Sequence, residues 1–411
     1  MYFMKKVVLF VDNFYPKKDN SINVVDKYAR NLRENKIKVL VVAPEVLDKN
    51  GNPKFDDSEL PYKVLRCKVA ADEIAGYSHS LPNQDEELLM ELDSFVKTAD
   101  VIHIHTPLWL GRLGVEFAKA HGKPCIGTFH KDYKSDFDYY FGKDSEESKK
   151  YLNYILKTYQ MCDEVWAINK SCAEILYSYG YNRNKDVFYI QNGTEMMTVS
   201  DDIRRISNVM INRTFELSPG DNVIVYATKL IKQKNVDFIF DVMKELKNRE
   251  VLFKFLLVGD GPQKENLEKY IIDNELQNNI VMVGEVTDRK YLQNIMARAD
   301  LSVFPSINDI STVLPVEFAS VSVPTLFIKG SPASSNYTDG VDSFVELGLV
   351  KEFANKIETL ITEEGKRTLK KVGRTAREEI YKTWSDLVRN IVIKRYEEKI
   401  IAKKKAIKFS I

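Results

Sequence analysis

Asp309 and Glu317 stand eight residues apart, with Ser311 and Thr312 between them. They follow a short apolar run, 300–304, that reads as a buried strand. Glu317 falls inside a second apolar run, Val313-Leu314-Pro315-Val316 and then Phe318-Ala319. An unpaired carboxylate there would be costly, so it needs a partner, and a ligand hydroxyl is one candidate. Ser311 and Thr312 lie where a helix should begin, and free backbone N–H groups at such a start attract anions. Strand, acid, hydroxylated helix start and second acid form the layout of a site for a phosphorylated sugar.

Three further segments could contribute chemistry. The stretch Lys229-Leu230-Ile231-Lys232-Gln233-Lys234-Asn235 follows an apolar strand and precedes a helix opening at Val236. Cations at such a junction suit a diphosphate, although a lysine-rich loop also serves simply to face water. Gly259-Asp260-Gly261-Pro262 is a tight turn with a proline suited to a first helical turn, which fits an ordinary connection as well as a ligand loop. His130 ends the apolar run 125–129, where a histidine can bond a substrate hydroxyl, polarise a reacting group, or merely cap a surface. His103 and His105 share one strand face, but no acid or cysteine stands at ligand spacing, so no metal site is expected. The chain lacks GxSxG, HExxH, a P-loop and a helix-opening GxGxxG, and residues 12–20 contain no glycine. That weighs against a dinucleotide-binding fold of the usual kind.

These residues need a scaffold, and the hydrophobic pattern supplies one. Short apolar runs at 7–11, 38–43, 101–105, 125–129, 164–168 and 187–190 alternate with amphipathic helical patterns at 24–34, 86–97, 110–120, 147–161 and 171–179. The rhythm resumes with strands near 223–228, 253–258, 280–283, 301–304 and 325–328. Such alternation predicts an α/β architecture with one parallel sheet per half, each covered by helices. The polar stretch 192–222, broken by Ser218-Pro219-Gly220-Asp221, separates a first domain over 1–200 from a second over 215–383. Ligands in such sheets bind beyond the carboxyl ends of the strands, where His130, Lys229, Gly259 and Asp309 all lie.

The bulk numbers agree. A chain of 411 residues fits two ordinary domains. With 60 basic and 59 acidic residues, nucleic acid is not an expected partner. The four cysteines are scattered and read as reduced core thiols, and no run approaches a spanning helix, so a cytoplasmic protein is expected. The end of the chain mixes Lys399, Lys403, Lys404, Lys405 and Lys408 with Ile400, Ile401, Ile407 and Phe409. Such a pattern suits either a solvated terminal helix or a peripheral contact with the inner face of the cell membrane.

In order, these segments resemble the retaining GT-B glycosyltransferases of family 4 over nearly the whole chain. The resemblance rests on Pro305-Ser306 followed by an acid, seven residues and a glutamate, here Asp309 to Glu317. It rests also on a cation pair five apart, Lys229 and Lys234, on the turn at Gly259 and Gly261, and on Val283-Gly284-Glu285-Val286. Gly127-Thr128-Phe129-His130, Gln191-Asn192-Gly193-Thr194 and the segment from Trp384 complete it. The resemblance implies two Rossmann-like domains facing across a cleft, with a last helix, 384–411, crossing back to the first. It implies transfer of a sugar from a nucleotide-diphosphate donor, UDP favoured, to a glycan or lipid-linked acceptor, with no cofactor and no metal.

Asp309 would hold donor-sugar hydroxyls and Glu317 the ribose. Ser311, Thr312 and Val313 would hold sugar and phosphate, Lys229 and Lys234 would neutralise the diphosphate, and Val286 would lie beside the base. His130 would reach the sugar, and the acceptor would enter past Lys131 to Lys134 and Tyr139-Tyr140. Three positions depart from the family pattern: Asp19-Asn20-Ser21-Ile22 for paired glycines, Asp309 for glutamate, and Asn235 for glycine. A catalytically silent relative that binds glycan and supports a partner enzyme is the alternative, and a sugar-nucleotide epimerase is a third reading.

Overall fold

Val7, Val8, Leu9 and Phe10 are all shielded from solvent, as a strand covered on both faces must be. The structure, a computed structural model, describes residues 4–17, 19–84, 86–185, 187–310 and 313–409. The chain divides into two units, Met1–Asn192 with Trp384–Ile411, and Gly193–Thr383.

The first unit contains β1 (Lys6–Phe10), β2 (Lys38–Pro44), β3 (Lys63–Cys67), β4 (Val69–Ile74), β5 (Tyr77–Ser80), β6 (Val101–Ile104), β7 (Cys125–Phe129), β8 (Glu164–Ala167) and β9 (Val187–Tyr189). Seven of them form a parallel sheet in the order β3-β2-β1-β6-β7-β8-β9, while β4 and β5 pair as an antiparallel hairpin. The order reverses between β1 and β6, and loops that part at such a switch point leave a crevice at the strands' carboxyl ends. Sequence pattern missed β3 because Lys63 and Arg66 give this edge strand a polar look, which is how edges are commonly protected. It also missed the helix Tyr133–Phe141, which buries Tyr133 and Phe137 at i,i+4 while Tyr139 remains 94% exposed.

The second unit contains β10 (Val223–Ala227), β11 (Lys254–Val258), β12 (Ile280–Gly284), β13 (Leu301–Phe304), β14 (Thr325–Ile328) and β15 (Phe344–Glu346). Their order is β12-β11-β10-β13-β14-β15, all parallel, with the reversal between β10 and β13. Ile224 pairs with Leu301 and Val225 with Ser302, so the loops after these two strands start side by side. Residues 201–214, polar in sequence, form a helix of this unit, Asp201–Thr214, anchored through Ile211 and Ser207.

The chain end serves the first unit as a packing element. Two helical segments, Trp384–Leu387 and Ile393–Phe409, are joined by a π turn at Val388–Val392. Tyr396 is buried, stacks on Trp166 with ring centroids 5.5 Å apart, and bonds the Nδ1 of His103 through its hydroxyl at 2.6 Å. Buried Glu164 accepts from Trp166 Nε1 at 2.7 Å and from Arg395 Nε at 2.9 Å, and pairs with Lys399. Lys403 pairs with Asp163 at 2.7 Å. Three of the terminal cations are therefore committed to acids of this unit. No described helix is long and apolar enough to cross a membrane.

Candidate functional site

At the switch point of the second unit, strand ends bring together segments far apart in sequence. The loop after β10 carries Lys229, exposed and without an ion pair among the described residues. It also carries Lys234, whose ammonium pairs with Asp309 on the loop after β13. Asn235 sits in the left-handed region at φ 53° and its Nδ2 donates to the Pro305 carbonyl at 3.0 Å. The glycine of the family pattern is thus replaced by the side chain that best tolerates this conformation, and that side chain also ties the two loops together. Ser306 Oγ adds a bond to the Gln233 carbonyl at 3.2 Å.

The turn after β11 fits against the same loop. A Cβ on Gly259 would lie 1.8 Å from the Thr228 carbonyl oxygen, and one on Gly261 would lie 2.6 Å from that of Leu230. Both also have positive φ, 137° and 156°. Only glycine permits this approach, so both positions are fixed by loop-to-loop packing. Leu230 N–H donates to the Asp260 carbonyl at 2.9 Å across the same contact.

Glu317 lies on the helix Val313–Ser320, buried, and pairs with Arg289, whose side chain is half exposed at the start of Arg289–Arg298. Thr194 also bonds its carboxylate. Burial pushes the Glu317 carboxyl above its ordinary range, with Arg289 pulling the other way. The internal partner that its apolar surroundings demand is therefore Arg289, a residue the sequence reading did not single out. No local pattern marks Arg289, which follows an Asp288 N-cap like many helix-opening residues. Val286 is half-buried against the core beside β12, and Val313 opens the helix that carries Glu317. Ser311 and Thr312 lie outside the described residues.

In the first unit, His130 is buried after β7, with its Nε2 3.1 Å from Nδ1 of His105. His105 stacks on His103 at 4.1 Å, and its own Nε2 has no hydrogen-bond partner among the described residues. His103 spans Tyr396 and Thr128, each at 2.6 Å. Asp12, at the end of β1, accepts from Thr106 Oγ1 at 2.6 Å, Leu108 N–H at 3.0 Å and Leu110 N–H at 2.7 Å, thereby capping the helix Trp109–Ala120. Sequence reasoning passed over Asp12 because its partners lie more than ninety residues away. Lys131 pairs with Asp136, and Lys134 with Asp138 and Asp144, so the cations of the expected acceptor path are already matched by acids. Among the described residues no cluster of three or more His, Cys, Asp or Glu could hold a metal ion.

Two family descriptions match in tandem: Glycosyltransferase Family 4 over residues 23–196, and Glycosyl transferases group 1 over residues 211–379. The chain belongs to the group 1 glycosyl transferases. Among curated relatives of this family, the alpha-monoglucosyldiacylglycerol synthase of Acholeplasma laidlawii is 24% identical over 282 residues, 64% of this chain and 65% of that one. The synthase of the same name from Streptococcus pneumoniae is 21% identical over 239 residues, 58% of this chain and 53% of the relative. The chain thus spans about half to two-thirds of these two relatives' length. The 2-deoxystreptamine N-acetyl-D-glucosaminyltransferase of Niallia circulans is 22% identical over 281 residues, 64% of this chain and 68% of the relative. Among solved structures, HepE from Anabaena in complex with UDP superposes with a TM-score of 0.70 at 16% identity, covering 97% of this chain and all (100%) of that one. The fold is GT-B.

Within this group 1 chain the buried ionisable groups of the first unit set a pH dependence. Burial first, then neighbouring imidazoles, hold His103 and His105 well below the ordinary histidine value of 6.5, and burial lowers His130 to about 4. Stability from these neutral rings is complete above 6.5 and is lost as pH falls below it. For Glu164, burial raises the carboxyl, but Arg395, Lys399 and Trp166 together outweigh it and leave it lowered, so its contribution is also lost in acid. Asp12 has the opposite sign: burial pushes it up to about 6, so its contribution declines as pH rises through that value. Three imidazoles outweigh one carboxyl. The midpoint of urea unfolding, followed in the first unit, is expected to fall between about pH 7 and about pH 5. A midpoint that rose on acidification would contradict the neutral histidine stack.

Proposed function

We propose that this chain is a retaining glycosyltransferase that moves a sugar from a UDP-sugar to a hydroxyl of a glycolipid or polysaccharide precursor. The observation that carries the reading is the Lys234–Asp309 pair, which joins the loops after β10 and β13 at the switch point of the second unit, with a second pair, Arg289–Glu317, between the helices that follow β12 and β13. Support for the donor comes from HepE, solved with UDP and with UDP-glucose, and for a glycolipid product from the two alpha-monoglucosyldiacylglycerol synthases.

As the bond to the diphosphate breaks, negative charge grows on the leaving oxygens while the sugar becomes oxocarbenium-like. Fixed ammonium groups from Lys229 and Lys234 stabilise that charge without reorganising, so this reading requires no divalent metal. In this reading Asp309, the partner of Lys234, takes donor hydroxyls, and Glu317 accepts from the ribose while Arg289 balances its charge. A lipid-linked acceptor would bring the chain to the inner face of the membrane, a contact that cosedimentation with anionic vesicles tests directly.

The silent-subunit reading draws on one observation: each acid of the site already has a cation partner, Asp309 in Lys234 and Glu317 in Arg289. Calorimetric titration with UDP and the other nucleoside diphosphates, together with transfer and hydrolysis assays on a panel of nucleotide sugars, separates the two. Binding with turnover supports the transferase, and binding without any turnover supports the silent subunit. Failure of every nucleoside diphosphate to bind overturns the assignment of the site. In the same assays His130→Ala is expected to lower transfer while UDP affinity stays near that of the parent, because its role is with the sugar. An equal loss of both would remove His130 from that role.

A further inference from the structure

The first unit carries a groove that none of the roles above uses. Two adjoining hollows of about 330 and 290 Å³ share Trp109 and Tyr154 as walls. Lys150, Asn153, Tyr154 and Lys157 recur at helical spacing along Glu146–Gln160 and form one stripe facing the groove. Trp109 opens the helix Trp109–Ala120, and His79 of β5 lies against it with ring centroids 4.8 Å apart and the ring planes tilted by 34°.

The polar groups of the groove are conspicuously unspent. Trp109 and Tyr154 are half-buried, and their indole N–H and phenol hydroxyl make no hydrogen bond among the described residues, so both are open to an occupant. Ser80 lines the same groove, is 1% exposed, and its Oγ has no partner among the described residues. Leaving such a hydroxyl unpaired is costly, so an occupant that can bond it is favoured. The charge is one-sided. Arg112 is neutralised by Glu116 at 2.8 Å, whereas Lys150 and Lys157 are exposed and in no ion pair among the described residues.

We propose that this groove is a binding site for an acidic oligosaccharide. A sugar ring offers an apolar C–H face to lie on Trp109 and Tyr154 and a rim of hydroxyls for the indole N–H, the phenol, Asn153 and Ser80. Carboxylate, sulfate or phosphate substituents meet Lys150 and Lys157. An acyl chain would fill the hollows but leave those polar groups unsatisfied. Aromatic walls with a few placed polar groups and volumes near 300 Å³ are typical of small-ligand sites. That the bound glycan is the growing acceptor rests on the transferase reading, but the binding itself does not.

The test uses the full chain on an array of neutral and acidic oligosaccharides, followed by titration of the best binder by calorimetry, with tryptophan fluorescence as a second readout. Acidic glycans are expected to bind. Trp109→Ala should weaken them about tenfold or more, as loss of a central aromatic contact does. Trp109→Phe should abolish the fluorescence change while retaining part of the affinity. The surface pair Lys150→Glu with Lys157→Glu, which disturbs no buried contact, should remove the preference for acidic over neutral glycans. UDP affinity, measured on each variant, should not move. Binding of no glycan, or glycan binding indifferent to both sets of variants, overturns the proposal. Equal binding of neutral glycans with no effect of the lysine pair overturns its acidic character. Glycan binding without UDP binding would sink the transferase reading and leave the groove standing, and the reverse result would do the opposite.

Discussion

Lys234→Ala is expected to lower transfer about a hundredfold, because removing one donor aimed at charge that develops in a transition state typically costs 10²–10³. Lys234 reaches the switch point from the loop after β10 and meets Asp309 from the loop after β13. The ammonium is held by that carboxylate. A bound diphosphate must share it, and its hold strengthens as the leaving group gains charge, so turnover should fall further than UDP affinity. Asp309→Asn separates the two roles of the pair. It leaves Lys234 free for the diphosphate, so UDP should bind at least as well as before, whereas transfer should drop through loss of sugar contacts. Steady-state kinetics and UDP titration on both variants decide the matter. Near-normal turnover in Lys234→Ala would mean that the diphosphate is held elsewhere.

The second large effect is on donor affinity. Glu317→Ala should weaken UDP binding tenfold to a hundredfold, the equivalent of the roughly 1.5–3 kcal/mol carried by a charged hydrogen bond. Because Glu317 is buried with a partner, one would ordinarily fear for the fold. Here the partner limits the damage: the Arg289 side chain is 51% exposed and rehydrates when the carboxylate is removed. The variant should remain folded in a thermal melt, with its defect confined to the nucleotide. Unchanged UDP affinity in the folded variant would show that Glu317 serves Arg289 and Thr194 alone.

These expectations separate what was readable along the chain from what was not. Alternating apolar runs and amphipathic stretches identified two parallel α/β units, because a strand buried on both faces is apolar throughout and a helix on a sheet is apolar along one stripe. The same reasoning placed Lys229, Lys234, Gly259, Asp309 and His130 at carboxyl ends of strands. It failed at edges and at largely exposed helices, such as β3 and Asp201–Thr214, where few residues are buried and polarity dominates the pattern.

Sequence by itself determined that Glu317 must have a partner, since a carboxylate in an apolar helix cannot stand alone. Only the tertiary structure decided that the partner is Arg289, 28 residues upstream, because the pairing depends on two helices packing. Asn235 reads in sequence as a departure from glycine. Its left-handed backbone and its bond to Pro305 make it a substitute that keeps the loop in place. The glycines at 259 and 261 look like a ligand loop, yet their measurable constraint is the carbonyls of Thr228 and Leu230. His130 is one histidine in sequence and the end of a buried three-histidine stack in space. The basic tail, read as a surface feature, spends Arg395, Lys399 and Lys403 on Glu164 and Asp163. In each case the chain supplied the chemical type and the local spacing. The fold supplied the partner, because contacts across tens to hundreds of residues depend on topology and leave no periodic trace in sequence.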